Sequence, residues 1–215
     1  MEGLGLRVII MALKTSSQGR RKLLMAARAA KTVVGPALPP VWVLTDPKRM
    51  PDPVAVAETL PQGWGMIYRH FGHAEREAIA ADLRRATAAR DCWLLIAADP
   101  SLAKLVGADG VHWPERLRRQ AAYWRRAFPI MTSSSHTPLG LRALRANVFD
   151  AALVSTVFSS QSPTAGEAMG PIKLRHLART AHLPIYGLGG VNSKTAQCIA
   201  SQSGLAMVEG GLTQG

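Results

Sequence analysis

From residue 40 onward, the hydrophobic positions gather into eight short and nearly unbroken runs. They are VWVLTD (41–46), GMIYRH (65–70), CWLLIAA (92–98), GVHW (110–113), PIMTSSS (129–135), AALVST (151–156), PIYGLGG (184–190) and LAMVEGG (205–211). Strict apolar–polar alternation is absent, as expected of parallel strands covered on both faces. Between the runs, apolar residues recur at helical spacing among good helix formers, over 75–90, 114–128, 137–147, 172–181 and 193–203. The repeated strand-then-helix order predicts an α/β fold: a single (β/α)8 TIM barrel of parallel strands, with a doubly wound open sheet as the alternative. Only LTQG follows the eighth run, so the last outer helix is expected to be short or missing. GRRKLLMAARAA, near the N-terminus, is placed to cover part of that gap or the barrel floor.

Length and composition agree with one domain. The 215 residues, 47% hydrophobic, can bury a sizeable core. The expected division is a basic N-terminal extension or docked helix over 1–35 and the barrel over 36–215. No apolar run approaches the roughly 18–20 residues that span a bilayer, so no membrane association is expected. The two cysteines, Cys92 and Cys198, are too far apart in the chain to make a metal knuckle, and both read as reduced core residues of a cytoplasmic protein. The net charge of +12 is uneven: residues 1–40 hold seven Lys or Arg against Glu2. Such basicity attracts anions without saying which. The arginines of 114–128 read as a solvated outer face, Tyr123 and Trp124 make no nucleic-acid platform, and a nucleic-acid partner is not expected.

In a barrel of this kind, chemistry belongs at the C-terminal strand ends. YGLGGVNS (186–193) ends one strand with glycines and opens a helical segment, so its bare amides suit a phosphate. VEGG (208–211) supplies the second half of such a cup, with Glu209 repulsive to phosphate unless it points away. TSSSHT (132–137) places hydroxyls and His136 at the end of the fifth strand. That imidazole reads either as a general acid–base or as a residue packed beside a helix cap. His112 is a second polar candidate over the mouth, whereas His73, His176 and His182 read as surface or loop residues. The polar loop VFSSQSPTAGEAMGP (157–171) reads as a ligand clamp or lid. Asp99, before a proline-led helix, reads as a cap, and Asp109, in the turn before GVHW, as structural.

Taken together, VLTDP, Arg69 in YRHF, GADGVHW, SSSHT, VFSSQS, YGLGGV and LAMVEGG resemble the thiamine phosphate synthase/TenI superfamily over about residues 40–212. In the synthases the resemblance implies coupling of an aminopyrimidine diphosphate to a thiazole phosphate, with Mg²⁺ helping to hold the diphosphate. It would set the thiazole phosphate on Gly189, Gly190, Glu209 and Gly210. The pyrimidine side would meet Arg69, Ser134 and the loop carrying Ser160 and Ser162. Departures from the synthase pattern fall on its charges. Ala97-Ala98 stands where the synthases have Asn-Asp, Leu117 replaces the second metal acid with Glu115 the only acid nearby, YRHF lacks the flanking Gln and Lys, and Pro163 replaces a Lys. A diphosphate leaving group needs its developing charge neutralised by such groups. His136 and the phosphate cup are kept, a pattern similar to the TenI branch, which isomerises a thiazole carboxylate phosphate without a metal. The expectation is therefore a small phosphorylated heterocycle (thiazole phosphate) as ligand and TenI-like tautomerase or divergent synthase chemistry, with His136 catalytic. No cofactor is expected, Mg²⁺ entering only if synthase activity is retained. Active synthase and a non-catalytic ligand-binding or regulatory barrel stand as alternatives, and a homo-oligomer is possible on any of these readings.

Overall fold

A computed structural model describes residues 16–160 and 166–208. Its eight strands form a closed, all-parallel barrel in which each pairs with the next and the last with the first. They are β1 (Val41–Leu44), β2 (Gly65–Tyr68), β3 (Trp93–Ala97), β4 (Gly110–Trp113), β5 (Ile130–Ser135), β6 (Ala151–Ser155), β7 (Ile185–Leu188) and β8 (Gly204–Val208). The helices are α1 (Ser17–Val34), α2 (Pro53–Ala57), α3 (Arg76–Ala88), α4 (Pro100–Leu105), α5 (Ala121–Trp124), α6 (Pro138–Arg142) and α7 (Gly170–Thr180). The strands are apolar on both sides because two cores share them. One lies between sheet and helices, and the other fills the barrel with Trp42, Leu44, Ile67, Leu95, Leu153, Tyr186 and Ala206. Trp42 sits over Gly65, where an added Cβ would run into the indole, so only glycine leaves the ring its place. At the floor the Tyr186 hydroxyl donates to the Pro39 carbonyl at 2.6 Å.

Helix α1 is capped by the Ser16 hydroxyl, which accepts from the Gly19 amide at 3.1 Å. It buries Leu23, Ala26, Ala27, Ala30 and Val34 against the barrel. Its neighbours are β8 and the short 3₁₀ turn Ala196–Cys198, so it covers the sheet beside the last strand. The run after β8 lies outside the described residues.

Three helical expectations differ from the structure. Residues 114–128 fold as a 3₁₀ turn (Glu115–Gln120), α5 and a second 3₁₀ turn (Arg125–Ala127). Glu115 near one end is held by the His136 amide, and Arg125 near the other by Asp150. Winding at about 2.0 Å rise per residue, against 1.5 Å in an α-helix, stretches the segment between those anchors. Over 137–147 only α6 forms, because the Arg145 carbonyl takes the amides of Val148 and Phe149 in a turn that buries Phe149. Over 193–203 only Ala196–Cys198 is helical. The Asn192 carboxamide accepts from the Lys194 and Thr195 amides and so competes with helix propagation. In consequence Ala196 and Ile199 take the buried positions, and Cys198, expected in the core, is exposed.

Candidate functional site

All eight strands run the same way, so their C-terminal ends meet at one rim. Side chains that follow the barrel interior up to that rim compose its upper layer: Arg69 above Ile67, Ala97 above Leu95, and Ser134 and His136 on β5 and just beyond it. Thr45 holds Arg69 by two bonds: its hydroxyl accepts from the Arg69 amide at 2.8 Å, and its carbonyl from Nε at 2.9 Å. The Nη1 and Nη2 groups have no partner among the described residues. Burial lowers the pKa of Arg69, Asp46 opposes that and Arg49 adds to it, yet a guanidinium stays charged. A half-buried cation with two free amino groups at the mouth is suited to an anion.

Below it, His112 is enclosed in the barrel, 3% exposed. Its Nδ1 pairs with the Thr132 hydroxyl at 2.8 Å and its Nε2 with the Ser134 hydroxyl at 2.9 Å. Burial, seconded by the charge of Arg69, pushes its pKa down to about 3, so the ring is neutral. It supports the rim from beneath instead of standing over the mouth as its position in the sequence suggested. It also fixes Ser134, whose hydroxyl must be donor or acceptor according to the tautomer below.

His136, exposed, lies at the rim. Its Nδ1 pairs with the Ser155 hydroxyl at 3.0 Å, its amide donates to Glu115 Oε2 at 3.0 Å, and its Nε2 has no partner among the described residues. Ser155 went unnoticed in the sequence. It lies in register with Ala151 and Leu153, which face the barrel interior, and period-two counting from those residues is the signal that finds it.

The loop after β7 carries Gly189 and Gly190 at φ +96° and +63°, conformations that side chains rarely adopt. A Cβ on Gly189 would come within 2.7 Å of Thr156, and one on Gly190 within 2.6 Å of the Ser159 carbonyl oxygen. The two glycines thus let the β6 and β7 loops close on each other. Past them, the amides of Gly190 and Val191 have no acceptor among the described residues. Ser160 lies on the facing loop, and Ser162, Glu209 and Gly210 lie outside the described residues.

The carboxylates near the family's metal positions are already committed. Asp99 caps α4 by accepting from the Leu102 amide at 2.9 Å and pairs with Arg76. Asp109 accepts from the Leu94 amide at 2.7 Å and from Arg84 at 3.0 Å. Glu115 divides its oxygens between Arg118 and the His136 amide, and Ala97 offers no donor atom. Among the described residues no three His, Cys, Asp or Glu side chains group as a cation site. Among the described residues the donors do not fit a divalent metal.

A family model described as thiamine monophosphate synthase matches residues 43–210. The chain belongs to that family. A thiamine biosynthesis bifunctional protein ThiM/ThiE from Symbiobacterium thermophilum is 32% identical over 140 residues. That match takes in 63% of this chain but 29% of the bifunctional protein, so the chain spans under a third of the relative's length. Thiamine phosphate pyrophosphorylase from Pyrococcus furiosus superposes with a TM-score of 0.66 at 20% identity, over 81% of this chain and 87% of that one. FabK from Thermotoga maritima gives 0.57 at 13% identity, over 83% and 60%. At those identities the likeness is one of fold, the barrel of the thiamine monophosphate synthase family included. Among the described residues no helix is long and apolar enough to cross a membrane.

Proposed function

We propose that this member of the thiamine monophosphate synthase family binds a thiazole phosphate at the barrel mouth and tautomerises a thiazole carboxylate phosphate by proton transfer. The observation that carries this reading is His136, an imidazole with one nitrogen held by Ser155 and the other unpartnered at the rim. In the proposed reaction, His136 takes a proton from one ring position through Nε2 and returns it to another. Ser155 steadies the Nδ1 side, and Glu115 fixes the backbone beneath. Gly189 and Gly190, together with Gly210 and the neighbouring Glu209, would seat the phosphate, while Arg69 supplies a second positive group. Ser134, held by His112, would meet the rest of the ligand together with Ser160 and Ser162.

Proton transfer of this kind needs no leaving-group stabilisation, in keeping with Ala97 and the committed carboxylates. The test is exchange of solvent deuterium into thiazole carboxylate phosphate, followed by NMR. His136→Ala is expected to slow it by about 10²–10⁴-fold, the usual contribution of one positioned acid–base. Equal exchange by the variant removes His136 from the mechanism. The second reading, a divergent synthase, is favoured by the identity to the bifunctional ThiM/ThiE protein. Magnesium-dependent release of diphosphate from the aminopyrimidine diphosphate in the presence of thiazole phosphate would establish it in place of the first.

A further inference from the structure

Charge is distributed over the barrel wall in a way the mouth does not use. Residues 41–113 carry eight Lys or Arg against nine Asp or Glu, whereas residues 114–208 carry eleven against three. Of those three acids, Glu115 and Asp150 are bound to Arg118 and Arg125. Neither 137–149 nor 168–208, the stretches that include α6 and α7, contains a carboxylate.

Between α6 and α7 lies a cleft of about 160 Å³. Its floor is apolar, made by Leu141, Leu177 and Ala181, and its rim is Arg142, Lys173, His176 and His182. A hydrophobic cavity of roughly 150 Å³ holds a benzene ring, so the cleft accepts one large apolar side chain. One turn of helix from His176 stands Ile172, 84% exposed, and beside Arg142 stands Leu139, 77% exposed. Exposed apolar side chains thus stand beyond the basic rim of the cleft on both helices, further out than a single-ring ligand would reach. A nucleic acid would answer the charge and leave Leu139, Ile172 and the apolar floor without a role.

We infer that the α6–α7 face docks an acidic amphipathic helix of a partner protein. One large apolar side chain of that helix fills the cleft, its neighbours cover Leu139 and Ile172, and its carboxylates meet Arg142 and Lys173. This is the helix-in-groove mode, with electrostatics setting the choice of partner. The surface is on the outer wall, away from the strand ends, so it does not depend on the chemistry proposed for the mouth.

The probe is a fluorescein-labelled helical peptide of about 16 residues, some four turns, with Leu and Phe in one stripe and Glu elsewhere. Its controls are a peptide of the same composition with the stripe scrambled and a single-stranded RNA of similar length. Binding is read by anisotropy at about 0.1 M salt. The striped peptide is expected to saturate and to bind at least about tenfold more tightly than the scrambled one, a difference of ~1.4 kcal/mol. Leu139→Asp with Ile172→Asp, both on exposed positions and so compatible with an unchanged Tm, should remove that preference. The same variant should bind thiazole phosphate like the parent. No saturation by the striped peptide, equal binding of the scrambled one, or tighter binding of the RNA to the same face would overturn the inference.

Discussion

Replacing His112 with leucine separates the structural from the electrostatic part of the mouth. Thr132 is fully buried, and without the ring its hydroxyl is left without the partner at 2.8 Å, a cost of about 1–3 kcal/mol. The lost bond to Ser134, a half-buried residue, adds about 0.5–1.5 kcal/mol. At neutral pH the variant is therefore expected to be roughly 2–4 kcal/mol less stable, with Tm lower by about 5–15 °C. The gap depends on pH. In the unfolded chain the imidazole titrates near 6.5, and in the folded chain at about 3. Between those values the unfolded state binds the proton and the folded state does not. The contribution of His112 to stability is thus whole above pH 6.5 and declines as pH falls, by about 1.4 kcal/mol per pH unit. Leucine has no such dependence. The parent's advantage should shrink by about 2 kcal/mol on going to about pH 5, and close or reverse near pH 4–5. Burial also lowers the pKa of His70, but that group is common to both proteins and cancels in the difference. Urea unfolding at a series of pH values reads the gap directly, provided the m-value is the same for both. A gap that stays constant from neutral pH down to about pH 5 would refute the reasoning, because the ring would then titrate alike in both states.

Three further substitutions probe the mouth and the frame beneath it. Gly190→Ala puts a methyl group within 2.6 Å of the Ser159 carbonyl oxygen at φ +63°. It should destabilise the fold by about 1–3 kcal/mol and weaken thiazole phosphate binding by at least about tenfold in calorimetry. Asp99→Ala removes the α4 cap and the partner of Arg76, so an unfolding assay should register about 1–2 kcal/mol. Calorimetry of thiazole phosphate with and without magnesium should be the same for this variant as for the parent, because Asp99 serves α4 rather than a metal. Gly65→Ala forces Trp42 off its seat on the barrel floor, and denaturant unfolding should show a loss of about 1–3 kcal/mol from overpacking with thiazole phosphate affinity unchanged.

The barrel was legible because each apolar run is too short for a helix and too evenly apolar for a half-exposed strand. The same evenness concealed the site. When both faces of a strand are buried, the run does not reveal which residues turn inward, and that parity decides that Ser155, and not Thr156, reaches His136. Parity likewise sends His112 into the interior, where Thr132 and Ser134 on the next strand are its partners. The outer segments failed for another reason. Their periodicity was real, but side-chain bonds reaching across the chain, Glu115 to the His136 amide and Arg125 to Asp150, set the local winding. Ala97 and Ala98 could be read directly, because a methyl side chain offers no donor whatever the fold. The remaining acids could not, since a carboxylate is able to cap, pair or coordinate, and its neighbours select among these. Asp99 and Asp109 are each satisfied by a backbone amide and an arginine. Freeing either for a cation would open a helix start or the entry to a strand. Asp99 and Asp109 therefore maintain the frame, and on the function proposed above the chemistry of the mouth would fall to the imidazole, the guanidinium and the backbone amides.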